Sequence, residues 1–480
     1  MKKIVYLCTR YMYSWKLDKR NMKKLFSTFY VWMLFVSIGL LTSCVGNEDN
    51  VVVPDIPEPQ PQEEVTEFFN ETVNKMIDEN YELVKANGYA KLVIPKSLYR
   101  EGLFTFSANA TGDMQCMVNA GYKAYVNGGS VRDAVMGTPS HDVDFSTNAS
   151  IEQIVAIVPN SKSFNAFKNI WVVKAYHEGD IETDIAPIFA IFPEYSGKAN
   201  VPVAKDLESP YSEDLLDDTY SRDFTFNSLY YDFGTGDVID YHGGLHDLRE
   251  GVVNTVITAD FKVPMDPRTI LRGLRFAAKY QFAISAELDK AYIDHVDALK
   301  DLDTYNSIYN MESGFNGGFA LRYFKLLEQY KVTDYFMTSL TDRLQTADYK
   351  NFTEGMLGEF DKVGKADMAL SFAAIFWPRF ADDIQAKENP TKEDVAAIWT
   401  TIDSENKENF KFDYKDYTYI PQFIQDVWYL QLLMTDPTNQ TAEKSVEIRK
   451  SERFAEALRF LKARAALDGN LAGSASYWSE

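Results

Sequence analysis

The sequence predicts an α+β protein, with a head of short strands and helices followed by an all-helical remainder. Three observations predict it. Between about 114 and 255, β-rich runs (KAYVNGG, HDVDFST, NIWVVKAY, SLYYDFGTGDVIDY) alternate with helical stretches. From Asp266 onward, PRTILRGLRFAAKY, GFALRYFKLLEQY, YIPQFIQDVWYLQLLM and SERFAEALRFLKARAA repeat apolar residues at helical spacing. The 480 residues also exceed what one core accommodates, so more than one domain is expected.

Taken in order, the first segment reads as a leader. Lys23 and Lys24 precede LFSTFYVWMLFVSIGLLTSC, a basic start, an apolar run and small residues before Cys44. Leu41-Thr42-Ser43-Cys44 resembles the lipobox of bacterial lipoproteins, which implies a lipidated Cys44 as the first mature residue; Met22 suffices as the start. An uncleaved transmembrane anchor is the competing reading. The expected location is a Gram-negative outer membrane, on its periplasmic side or at the cell surface. Residues 44–65 (VGNEDNVVVPDIPEPQPQEEV) are rich in proline and acids and read as an extended tether. The expected division is signal 1–43, tether 44–65, helical extension 66–113, head 114–255, neck 256–335, and body and tail 336–480.

Charge and cysteines narrow the function classes. The net charge of −21 becomes −28 once residues 1–43, with eight basic and one acidic residue, are removed. A polyanion is repelled at long range unless positive charge is gathered in one cleft. Cys8, Cys44 and Cys116 make no disulfide framework, and no Cys/His spacing suits a metal.

Phe68, Phe69, Val73, Met76, Ile77, Tyr81 and Val84 predict a helix over 66–90. The strand AYVN then runs into Gly128-Gly129 and a helix beginning near Ser130. Paired glycines permit close backbone approach to phosphate, and Arg132 adds a cationic fork; the same pattern also makes an ordinary turn. In HDVDFST, Asp142 and Asp144 are two positions apart on a strand and share a face. Beside a phosphate site, the simplest reading is that they bind Mg²⁺; the competing reading is a solvated acidic loop. Glu182, with Asp184 as its same-face neighbour, is a candidate third acid. YYDFGTGDVIDYHGG reads as a hairpin turning at Gly234 to Asp237. Arg268, Arg272 and Arg275 fall at i, i+4, i+7, one basic stripe, with Asp266 as a cap before Pro267. Pro390 and Thr391 mark a later helix start.

These stretches together resemble the class II nucleotidyltransferases, the CCA-adding enzymes and bacterial poly(A) polymerases. GGSVRDAVMG followed by HDVDFST is similar to the family's GG-x-VRD and DxD pair. SRDFTFNSLYYD is similar to RRDFT-x-NAL, VIDYHGGLHDL to D-x-x-GG-x-x-DL, and MDPRTILRGLRFAAKY to EDP-x-R-x-LRA-x-RFAA. The C-terminal helices are similar to those of bacterial poly(A) polymerases. The resemblance spans roughly 115 to 470 and implies a head with a small mixed sheet, then a helical neck, body and tail.

It further implies Mg²⁺-dependent transfer of NMP from an NTP, ATP or CTP, to an RNA 3′-hydroxyl. Asp142 and Asp144 would be the metal-binding catalytic pair. Gly128, Gly129 and Arg132 would hold the triphosphate, and Arg222, Asp223 and Asn227 the ribose and phosphates. Asp266, Arg272 and Arg275 complete the nucleotide-binding candidates. The departures fall in the template that reads the base: where the family has E-D-x-x-R, this chain has Met265, Asp266, Pro267, Arg268 and Thr269, and Ser221 replaces the first Arg of RRD. The alternative function is a membrane-anchored surface lipoprotein that keeps the fold for binding, with weak or no catalysis.

Overall fold

The computed structural model describes residues 68–480, apart from 139–142, 168–169, 179–180, 207, 365–366, 407–409, 411, 413–414 and the side chains at 167 and 181. The leader, the tether, Cys44 and Asp142 lie outside the described residues.

The head is built on one eight-stranded sheet. Its strands are β1 (Leu92–Ile94), β2 (Tyr125–Asn127), β3 (Asp144–Thr147), β4 (Ser161–Phe167), β5 (Ile170–His177), β6 (Ile181–Pro187), β7 (Tyr230–Asp232) and β8 (Asp237–Asp240). The spatial order is β1-β8-β7-β2-β3-β6-β5-β4. All neighbours are antiparallel except β3 and β6, which run parallel, so the sheet is mixed as expected. Alternation sends Val126, Phe145, Val173 and Ile185 into the core.

Helix α1 (Glu71–Asn87) covers one end of the sheet; Asn70 caps it and Val73 and Ile77 are buried. Then come α2 (Ala108–Asn119), α3 (Gly129–Val135), α4 (Ile151–Ile157) and α5 (Leu215–Thr219). Ser150 and Gln153 close a capping box at the start of α4. The β7–β8 turn occupies residues 233–236 rather than ending at Asp237, because Asp237 already pairs with Asp232.

In DYHGG, Asp240 accepts from the amides of His242 (2.9 Å) and Leu245 (2.8 Å), which starts α6 (Gly244–Glu250). A Cβ on Gly244 would lie 2.2 Å from the Thr225 carbonyl oxygen, so only glycine fits there.

The chain leaves the head through β9 (Val252–Val253), α7 (Ala259–Met265) and α8 (Arg268–Tyr280). Asp266 makes no side-chain cap for α8, contrary to the sequence expectation. Pro267 occupies the cap position, and the Asp266 carboxylate turns to Arg268 instead. Helix α8 buries Ile270, Leu271, Leu274 and Phe276 against the head and against α10 (Thr304–Phe315) and α11 (Ala320–Gln329); α9 (Ala286–His295) packs on α7.

The helical remainder comprises α12 (Ala347–Lys362), α13 (Met368–Ile375), α14 (Trp377–Ile384), α15 (Lys392–Glu405), α16 (Tyr419–Thr435), α17 (Ala442–Arg449), α18 (Phe454–Leu467) and α19 (Ala472–Ser479). Thr391 and Asp394 form a capping box at α15, where the sequence placed a start. An aromatic core of Phe372, Phe380, Trp399, Phe410 and Trp428 holds these helices together, and the Trp428 indole donates to the Ala373 carbonyl at 2.9 Å. Among the described residues no helix is long and apolar enough to cross a membrane.

Candidate nucleotide-binding site

A cavity of about 790 Å³ opens where the edge of β2 and α3 meets α8 and α10. Gly128, Gly129, Arg132, Asp144, Arg222, Asp223, Asn227, Asp266, Arg272 and Arg275, the described nucleotide-site candidates, all line it. Gly128 has φ +65°, a conformation that suits glycine, and so lets β2 turn sharply into α3.

Two hydrogen-bond networks hold the lining in place. In the first, Asn127 donates to the Ser146 hydroxyl (2.9 Å) and accepts from Arg222 (3.0 Å). Arg222 also donates to Asp218 at 2.6 Å, and the Tyr230 hydroxyl donates to the same carboxylate oxygen at 2.6 Å. Asp218 is fully buried, and burial works against the Arg222 charge. The Asp218 carboxylate and the Tyr230 hydroxyl together more than offset this and hold the guanidinium above its usual range. This network ties the strand bearing Asp144 to the SRDFTFN segment.

In the second network, Arg132 donates to Asn227 (2.6 Å) and Asp133 (2.8 Å) and lies over the rings of Phe276 and Tyr280. Asn227 donates to Asp223 (3.0 Å), which also accepts from Arg272 (2.7 Å) and the Phe224 amide (2.8 Å). Burial alone would raise the Asp223 carboxyl. The Arg272 charge and the hydrogen bonds from Asn227, Arg272 and Phe224 instead bring it down to about 2. A 3₁₀ turn at Thr225–Asn227 follows, with the Asp223 carboxylate on the Phe224 amide.

The walls differ in character. Arg268, Arg272, Arg275 and Lys279 form the stripe along α8, extended by Lys262 of α7. Burial, with the charge of Arg272 next, holds the Arg275 guanidinium below its usual range. Opposite, α10 presents Asn306, Tyr309, Asn310 and Ser313, all uncharged. Asn127, Lys262, Lys279 and the α10 residues were not foreseen from the sequence. Lys279 continues the arginine stripe by one turn and was legible; the α10 residues carry no charge pattern to find.

At the acidic end, Asp144 is exposed at the start of β3, and its register partner on the parallel strand β6 is Asp184. Glu182, the tentative third acid, pairs across β5–β6 with Tyr176, bonds to Lys174, and is not among the residues that line the cavity. Lys174 also reaches Asp184 at 3.2 Å. Carboxylate oxygens on adjacent strands are donors that suit a hard cation such as Mg²⁺. Asp144 and Asp184 are therefore the described candidates to hold one. Among the described residues no three His, Cys, Asp or Glu side chains gather at one point.

Comparison with known proteins extends the resemblance. Residues 124–254 match the poly A polymerase head domain. Poly(A) polymerase I of Escherichia coli O6:H1 is 26% identical over 411 residues, spanning 81% of this chain and 85% of that enzyme. The CCA-adding enzyme of Geobacillus stearothermophilus is 30% identical over 231 residues, 47% of this chain and 54% of that enzyme. The chain is similar to poly(A) polymerases and CCA-adding enzymes, the class II nucleotidyltransferases.

Two solved structures share the fold of this chain. The Bacillus stearothermophilus CCA-adding enzyme in complex with CTP superposes with a TM-score of 0.56 at 20% identity, over 79% of this chain and 82% of that one. The Thermotoga maritima CCA-adding enzyme complexed with tRNA gives 0.54 at 16% identity, over 81% and 85%. The family's template Arg position, Thr269, is 1% exposed with its hydroxyl unbonded, and it does not line the cavity. Met265, in the template Glu position, is 46% exposed and does not line it either.

Proposed function

We propose that this protein transfers a nucleoside monophosphate from an NTP to an RNA 3′-hydroxyl. One observation carries the reading: in a chain of net charge −21, the described residues lining one cavity include seven cations and only three carboxylates. That local surplus supplies what a polyanionic nucleotide requires, and it answers the repulsion that the overall charge implies. The relatives named above, poly(A) polymerases and CCA-adding enzymes, support the choice of NTP and RNA as partners.

In the reaction the acceptor 3′-oxygen forms a bond to the α-phosphorus. The bond from that phosphorus to the β-phosphate oxygen breaks, pyrophosphate leaves, and the proton of the 3′-hydroxyl passes to water. Asp144, with Asp142 by sequence and Asp184 by register, would hold Mg²⁺, which when bound supplies charge neutralisation at the attacking and leaving oxygens. Arg222 spends donors of its five-donor fork on Asp218, Asn127 and Tyr230, and Arg272 on Asp223; the donors beyond these would meet phosphate oxygens. The carboxylate partners fix the direction of each fork, so the cations are oriented before the nucleotide arrives. Asn127 and Asn227 hold Arg222 and Arg132 in register with β2.

We also propose that the protein is attached to a bacterial outer membrane through lipid on Cys44; the basic, apolar and LTSC succession and the tether beyond it support this.

The transferase reading is tested by Mg²⁺-dependent incorporation of each labelled NTP onto a panel of short RNAs by the purified protein. The expected result is 3′ extension that stops when the cation is chelated. Binding of NTP without extension of any RNA would leave a nucleotide-binding surface protein in its place.

A further inference from the structure

We infer that Tyr309, backed by Tyr305, is the platform on which the 3′-terminal base of the acceptor RNA stacks. This rests on the nucleotidyltransferase reading of the same cavity and gives the acceptor strand its place on the α10 wall.

The two tyrosines stand one helical turn apart on α10, and their rings stack with centroids 5.8 Å apart and planes 23° from parallel. Tyr309 lines the cavity and Tyr305 does not, so the pair leads along the wall and out of the cavity. Both are large rings left in water, at 47% and 39% exposure. Helix α10 does not need them there. Asp303 caps its first turn, accepting from the Asn306 amide at 2.8 Å, and Ile308, Met311 and Phe315 are buried on its core side.

The rest of this wall favours stacking over readout by hydrogen bonds. Asn306 donates its side chain to Asp303 (2.7 Å), Asn310 donates to the Asn306 carbonyl (2.7 Å), and the Ser313 hydroxyl donates to the Tyr309 carbonyl (3.0 Å). These groups turn to their own helix, and the Tyr309 ring is what α10 offers to a base. Every base has a π-face, so the contact tolerates any sequence. Cations for the strand that carries the base stand on α8, which packs against α10. Arg132, Arg222, Arg268 and Arg272 are each paired with a carboxylate, whereas Arg275 and Lys279 have no ion-pair partner among the described residues. Both line the same cavity and are placed to meet acceptor phosphates.

The test measures binding of short fluorescent oligoadenylate and oligouridylate by anisotropy, each intact or with an abasic 3′-terminal residue, and binding of ATP alone. The proteins are wild type, Tyr309→Ala, Tyr309→Phe and Tyr305→Ala. Stacking of one base on one ring is worth on the order of tenfold in affinity, so Tyr309→Ala is expected to bind both intact oligonucleotides about tenfold more weakly and ATP within about twofold. Tyr309→Phe keeps the ring and is expected to stay within about twofold of wild type, while Tyr305→Ala, which removes the backing, loses about threefold. The abasic end should cost wild type about tenfold and cost Tyr309→Ala nothing further, as for two groups in direct contact. Because both rings are exposed, the variants fold, as circular dichroism verifies. An equal loss from the abasic end in wild type and Tyr309→Ala, or a loss confined to ATP binding, overturns the inference and leaves nucleotide transfer standing. Tyr309-dependent binding of RNA that no NTP extends removes the transfer reading and supports the platform. Folded wild type that binds no RNA overturns both.

Discussion

Asp144 and Asp184 stand opposite each other on adjacent parallel strands, and Lys174, the cross-strand partner of Asp184, reaches its carboxylate at 3.2 Å. The relationship sets a second carboxylate beside Asp144, outside the residues that line the cavity, and places a cation beside it. Asp144→Ala is expected to lower Mg²⁺-dependent incorporation on the order of a hundredfold or more, with little change in melting temperature because Asp144 is exposed. Unchanged turnover in that variant would remove Asp144 from the reaction.

Lys174 competes with any cation for Asp184. Lys174→Met is therefore expected to lower the Mg²⁺ concentration needed for half-maximal incorporation. Its effect on stability should stay within about 1 kcal/mol, since the carboxylates it pairs with are nearly half exposed. A Mg²⁺ titration of both proteins measures the shift; a higher requirement in the variant contradicts it.

Asp223 gives a pH signature. Its carboxyl is held near 2 against an ordinary value of 3.8. The folded state therefore binds its proton less readily than the unfolded chain. The stabilisation is complete above pH 4 and fades as pH falls from 4 to 2. Asp223→Asn removes that acid-limb slope and leaves Arg272 without its partner, at a cost of about 2 kcal/mol after allowing for the 35% exposure of Arg272. Urea denaturation of both proteins from pH 2 to 7 tests this: parallel curves rule it out.

His242 titrates on a different limb. Burial lowers its imidazole to about 4 from 6.5, against an opposing hydrogen bond that the ring donates to the Gly88 backbone carbonyl, and the ring lies 2.7 Å from the Thr219 hydroxyl. The unfolded chain takes up the proton first, so stability is full above pH 6.5 and declines as pH falls toward 4, by roughly 2–3 kcal/mol. Replacing His242 with Gln should flatten the profile between pH 6.5 and 4, whatever it does to stability at neutral pH.

Lipidation is read out directly. Labelled fatty acid is expected to enter the wild-type protein and not Cys44→Ala, and the mature chain should begin at Cys44. Equal labelling of both, or retention of residues 1–43, excludes the anchor.

Much of the head was legible because its constraints are local. GG after a strand, RDFTFN, and DYHGG each announce a turn, a cap or a close approach that only certain residues satisfy. The basic stripe of α8 followed from helical spacing alone. What escaped the sequence depends on register and rotamer. Strand periodicity marks Glu182 and Asp184 as equivalent, and only the β3–β6 pairing singles out Asp184 as the partner of Asp144. Asp266 has the right identity for a helix cap, yet Arg268, two residues on, claims its carboxylate, which no local propensity encodes. The α10 wall was invisible for a simpler reason: uncharged polar residues on a helix face carry no signal until something is seen opposite them.

The cavity lining also has a bearing on biogenesis. Its residues are gathered from Asn127 to Phe319, and three of its sides come from segments separated by dozens of residues. No partial chain ending before the stretch around 306–319 possesses the pocket. Nucleotide-induced folding therefore has nothing to act on until almost two hundred residues of the head and neck, Asn127 to Phe319, have come together.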